Sequence, residues 1–233
     1  MTHTHARKLV VGLVFAGLTF AGAGHLHAAE SRDYVFVFIL SGSTEDLSPE
    51  QQQEAFAGHF SNMEKQSKAG DLLIAGPMGP PKSDPDHRGL WVFNAETLEA
   101  GMALAETDPT FKLGMFKLSG HVFTTDRPLT DLPRLEEEAE AARRADPEIP
   151  NEWVGRAYIL ATAPFSDELL EAVSSTDGVL IAGTLHGAGP DGADEVLAWL
   201  DAEKRAEAEA ILPDGDWTMH GWYGSPTVEA MDD

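Results

Sequence analysis

The segment GDLLIAGPMG, from Gly70 to Gly79, and the segment DGVLIAGTLHG, from Asp177 to Gly187, repeat almost the same phrase within one chain of 233 residues. Such self-similarity constrains the fold more than composition does, because a repeated segment predicts a repeated unit. At one fixed offset Leu72-Leu73-Ile74-Ala75-Gly76 aligns with Val179-Leu180-Ile181-Ala182-Gly183. The same offset pairs LWVFNAE (Leu90 to Glu96) with LAWLDAE (Leu197 to Glu203). Upstream, the β-branched and aromatic run YVFVFIL (Tyr34 to Leu40) reads as a strand, and RAYILAT (Arg156 to Thr162) is its counterpart.

A helix follows each of these first strands. In the first copy Ser48 caps, Pro49 suits the first helical position and Gln51 completes a capping-box spacing, so the helix starts there and stops near Gly70. In the second copy the matching stretch, SDELLEAVSSTDG from Ser166, is much shorter. Second helices are expected near Thr97–Glu106 and Ala202–Leu212, followed by last strands that match if one residue is dropped, with Asp108 opposite Asp214. The order strand, helix, strand, strand, helix, strand is that of a ferredoxin-like βαββαβ unit. One such unit leaves a sheet face bare, so two in one chain are expected to pack sheet to sheet as an internal pseudo-dimer in an α+β fold. The expected division is a leader over residues 1–29, a first unit over 30–128, an acidic linker over 129–152 and a second, degenerate unit over 153–233. The linker's charged middle suits a solvated helix with prolines at both ends.

The leader has Arg7 and Lys8, an apolar run from Leu9 to Ala23 and small residues to Ala29, which is the order of a signal peptide. This predicts an exported protein, periplasmic or secreted, with no membrane association after cleavage. The chain has 39 acidic against 16 basic residues, a net charge of -23, and so repels nucleic acid and anionic lipid. It contains no cysteine, which excludes disulfides and thiol nucleophiles.

GDLLIAGP (Gly70 to Pro77), RGLWVF (Arg88 to Phe93) and DPTFKLGMF (Asp108 to Phe116), preceded by His59, resemble the YciI-like, or YCII-related domain, family over about Tyr34 to Pro128. The resemblance implies a dimeric α+β barrel, an active-site pair at His59 and Asp108, and a cavity lined at the Gly76-Pro77 corner, where backbone amides would meet an anionic substrate group. It also implies acid/base elimination chemistry on hydroxylated rings in the branch with an assigned activity.

Read without the resemblance, the residues leave both a structural and a chemical role open. His59 falls at helical spacing from Phe56 and Met63, on the apolar face, where it is either a satisfied core histidine or a general base oriented by a carboxylate. Asp108 precedes Pro109, which forces it out of the α region, so that it either ends a helix or projects a carboxylate from a turn. Gly76 and Pro77 read as a turn, and Arg88 as a loop residue or a clamp for a carboxylate or phenolate. His87, His121, His186 and His220 lack metal-ligand spacing, so neither a metal nor a cofactor is expected, and His186 or His220 as a haem ligand ranks last. The second copy offers no histidine matching His59 and has Thr184 where the first has Pro77, which predicts one pocket rather than two. Two functions follow: a small-molecule acid/base enzyme of lyase or isomerase type, or a non-catalytic barrel that binds a small ligand.

Overall fold

The computed structural model describes residues 31–44, 46–146 and 155–231, so the leader lies outside the described residues. The first half runs β1 (Arg32–Ser41), α1 (Pro49–Ala69), β2 (Leu72–Lys82), β3 (His87–Phe93), α2 (Leu98–Ala105), a single turn α3 (Pro109–Lys112) and β4 (Phe116–Thr125). After α4 (Leu132–Ala145) come β5 (Arg156–Pro164), α5 (Asp167–Ser174), β6 (Val179–Leu185), β7 (Glu195–Leu200), α6 (Arg205–Ile211) and β8 (Thr218–Gly224). Among the described residues no helix is long and apolar enough to cross a membrane.

All eight strands form one closed barrel in the order β1-β3-β2-β8-β5-β7-β6-β4. This differs from two sheets stacked face to face: edge ladders β2–β8 and β4–β6 join the halves and leave no free edge. The repeated phrase is repeated in geometry as well. The β2–β3 ladder skips a residue between Leu72 and Ile74, and the β6–β7 ladder skips one between Val179 and Ile181, at equivalent positions.

Side-chain alternation divides each strand between two cores. Along β1, Tyr34, Phe36 and Phe38 enter the barrel interior, whereas Val35, Val37 and Ile39 face the helices outside. Along β7, Leu197 and Trp199 point in while Val196, Ala198 and Leu200 point out to the layer beneath α5 and α6. Trp199 and Trp222 meet edge to face inside the barrel, with ring centroids 4.7 Å apart. Each fully buried side chain of this size contributes about 1.5–3 kcal/mol of transfer free energy.

The helix ends are local chemistry. Ser48 accepts the Gln51 amide at 3.3 Å, the Gln51 side chain accepts the Ser48 amide at 2.9 Å, and Gly70 closes α1 in the left-handed region. The expected linker helix is α4, and it is more than a solvated connector. Leu132 and the neighbouring Leu129 are buried in the barrel-interior core, Leu135 packs on it, and Glu136 accepts from Thr227 at 2.8 Å.

The repeated glycines sit at the two seams. A Cβ at Gly76 would lie 2.3 Å from the Tyr223 carbonyl oxygen on β8, and one at Gly183 would lie 2.4 Å from the Thr124 oxygen on β4. Gly76 and Pro77 are therefore interior residues of β2, not a turn. Alanine suits a strand better than glycine by about 0.5–1 kcal/mol, but overpacking a closed seam costs about 1–3 kcal/mol. Gly76→Ala and Gly183→Ala should each lower the urea midpoint by a net 1–2 kcal/mol equivalent, about the difference of those terms, whereas an unchanged or raised midpoint would show that the seams tolerate a methyl group.

Candidate active site

His59 lies on the inner face of α1 and is 8% exposed. Phe60, Trp91 and Phe116 surround it, with ring centroids 5.3, 5.7 and 6.0 Å from the imidazole. Its Nδ1 is 3.0 Å from Asp108 Oδ2, a contact between residues on α1 and on the turn after α2. Asp108 is fully buried.

Pro109 holds Asp108 extended (φ -65°, ψ 130°), which makes it the N-cap of α3 rather than the end of a long helix. The carboxylate divides its two oxygens between the cap and the ring. Oδ1 accepts the Thr110 amide at 2.9 Å and also the Thr110 hydroxyl, while Oδ2 serves His59. Burial pushes the Asp108 carboxyl up, but the hydrogen bonds from His59 and Thr110 outweigh it and hold the group below the ordinary aspartate value. An ionised carboxylate on Nδ1 fixes the ring and leaves Nε2 as the nitrogen available to the cavity that the ring lines.

That cavity encloses about 560 Å³, and His59, Gly76, Pro77 and Arg88 all line it. Asp108 does not; it stands behind the ring and acts through it. Arg88 belongs to β3 rather than to the loop before it, and its Nε donates to Ser41 Oγ at 2.8 Å. Arg88 is exposed at the edge of the cavity, and among the described residues no carboxylate lies within ion-pair distance of it. A base on one wall and a cation on another suit proton transfer to or from an anionic small molecule.

The second half has no such site. Its α5 has eight residues and no histidine, and Asp214 is exposed in the turn after α6. The sequence did not, however, indicate a cavity lined by both halves. A separate cavity of about 380 Å³ brings together His87, His121 and His220, which the sequence scatters over β3, β4 and β8. Ser41, Trp91 and Phe116 also line the cavity; Trp91 and Phe116 lie within the quoted motifs but were not read as site residues, and no motif contains Ser41. Among the described residues, no group of three or more His, Asp or Glu side chains is arranged to hold a metal ion. Haem does not fit either candidate ligand. His186 has Nδ1 on Asp194 and Nε2 on Thr124, both at 3.0 Å, and His220 has the His87 ring 4.7 Å away in a cavity walled by Asp84 and Glu195.

Residues 35–119 match the family model of the YCII-related domain. No curated protein matches the sequence. A mutant chlorite dismutase from Candidatus Nitrospira defluvii in complex with cyanide superposes with a TM-score of 0.52 at 14% identity, over 88% of this chain and 96% of that one. A second mutant of that enzyme gives 0.51 at 14% identity, over 87% and 95%. At this identity the likeness shows the mixed α+β, ferredoxin-like fold alone.

The depressed Asp108 carboxyl carries a signed prediction. Its contribution to stability is present above the unfolded aspartate value of about 4 and is lost as pH falls through the lower folded value. Asp108→Asn should unfold about 1–3 kcal/mol more easily at neutral pH, and the gap to wild type should shrink below about pH 4. Urea titrations from pH 7 to 2 check this, and a gap that stays constant to pH 2 would contradict it.

Proposed function

We propose that this protein, with a YCII-related domain over residues 35–119, is an acid/base enzyme of lyase or isomerase type acting on a small anionic molecule. The observation that carries the reading is the His59–Asp108 contact of 3.0 Å on the wall of the cavity that also presents Arg88. His59 Nε2 takes a proton from a carbon or hydroxyl of the bound substrate. Arg88 binds its carboxylate or phenolate and stabilises the charge left behind. The imidazolium, held by Asp108, then returns the proton to a leaving oxygen in an elimination or to a second carbon in an isomerisation.

The proposal extends to the organisation of the chain. Two βαββαβ units, over residues 30–128 and 153–233, form an internal pseudo-dimer, which the shared bulge and the paired seam glycines support. The first unit keeps the chemistry and the second serves as its packing partner. The basic and apolar leader supports export to the periplasm or medium, and the acidic surface disfavours nucleic acid.

Incubation with a panel of small hydroxy acids and hydroxylated aromatic acids in deuterated water, followed by proton NMR, tests the chemistry. Wild type should exchange or eliminate at the activated position, His59→Gln should lose about 10²–10⁴-fold in rate, and Arg88→Ala should lose in both kcat and KM. A compound that binds in the cavity without turnover, and equally well to wild type and His59→Gln, would instead make this a ligand-binding barrel.

A further inference from the structure

The second cavity shares no lining residue with the site above. It is walled by β1, β3 and β4 of the first half and by β5, β7 and β8 of the second, so neither half contains it alone. His121 is fully engaged: its Nδ1–H donates to the His186 carbonyl at 3.2 Å, which leaves Nε2 to accept from Ser119 Oγ at 3.0 Å. His87 and His220 are not. Each has a buried Nδ1 with no hydrogen-bond partner among the described residues, although His220 is only 5% exposed. A buried polar atom left unsatisfied costs free energy, and two side by side call for an explanation.

The chemistry of the wall specifies what would satisfy them. Burial drives both rings toward the neutral form, pushing His220 down to about 4, with the nearby His87 adding to the effect. His87 Nε2 stands 4.0 Å from the Asp84 carboxylate, whose charge favours the ring proton on that side and a lone pair on Nδ1. The two rings lie 4.7 Å apart, within reach of a single donor group. Asp84 and Glu195 add negative charge, whereas Lys82, the nearby base, is tied to the His87 carbonyl at 2.9 Å and is not in the wall. Phe38, Leu40, Leu160 and Leu197 supply the apolar remainder.

We propose that this cavity binds a primary amine with a small apolar body, its ammonium group accepted by the unsatisfied edges of His87 and His220 and balanced by the negative charge of Asp84 and Glu195 in the wall. The ammonium offers several N–H donors and a positive charge, which matches acceptors and acids.

Calorimetry and histidine-ring NMR on the leaderless protein with phenethylamine, phenethyl alcohol and phenylacetate test the proposal. Phenethylamine should bind about tenfold or more tightly than the alcohol, as charge-assisted hydrogen bonds require, and should shift the His87 and His220 ring signals. Glu195→Gln and His220→Phe should each weaken the amine by about fivefold or more, while Arg88→Ala, in the other cavity, should leave it unchanged. The rim variant Glu195→Gln keeps the test valid if His220→Phe fails to fold. Equal binding of all three compounds, amine binding indifferent to Glu195→Gln, or no shift of either ring would overturn the proposal. So would zinc chloride shifting both rings at lower concentration than the amine, which would make the cavity a metal site.

Discussion

A strand such as Tyr34–Leu40, aromatic on one face and branched aliphatic on the other, has no face it can leave in water. The structure answers by closing the sheet, so that one face fills the barrel while helices cover the other. Closure requires the two edge strands of each half to approach their neighbours at backbone distance, and Gly76 and Gly183 mark equivalent close approaches at the two seams. Both cavities depend on this. The first lies between α1 and the outer face of the sheet, and the second exists only because strands from both halves share the interior.

Within that frame one buried carboxylate has two tasks. Asp108 caps α3 through Oδ1 and holds the His59 ring through Oδ2, so the turn that starts the short helix also sets the imidazole. This coupling ties the site to the stability of the surrounding backbone. The His–Asp pair has no equivalent in the second half, which has neither a long helix at α5 nor a buried counterpart of Asp108. Against a net charge of -23, the guanidinium of Arg88 at the cavity edge, with no carboxylate in ion-pair distance among the described residues, is a local exception in charge.

What could be read from the chain follows the range of the interactions. The α1 cap and stop were legible because Ser48, Gln51 and Gly70 act within a few residues of one another. The extended conformation of Asp108 was legible because Pro109 imposes it locally. Gly76, Pro77 and Arg88 were misplaced into turn and loop: GPMGPP has turn composition, but pairing of Met78 and Gly79 with β8 carries β2 through it. That pairing is tertiary, and local propensity does not contain it. The approach of His59 to Asp108 was suggested by family resemblance and not by spacing, and the convergence of His87, His121 and His220 left no trace in the sequence because each comes from a different strand.

The central claim is that Asp108 presents His59 with its proton on Nδ1 and its lone pair on Nε2 toward the cavity. Nitrogen-15 spectra of the imidazole, in wild type and in Asp108→Asn at a pH where the ring is neutral, report that tautomer directly. The account predicts a protonated Nδ1 in wild type and loss of that preference in Asp108→Asn. A wild-type ring protonated on Nε2, or an identical tautomer in both proteins, would contradict it.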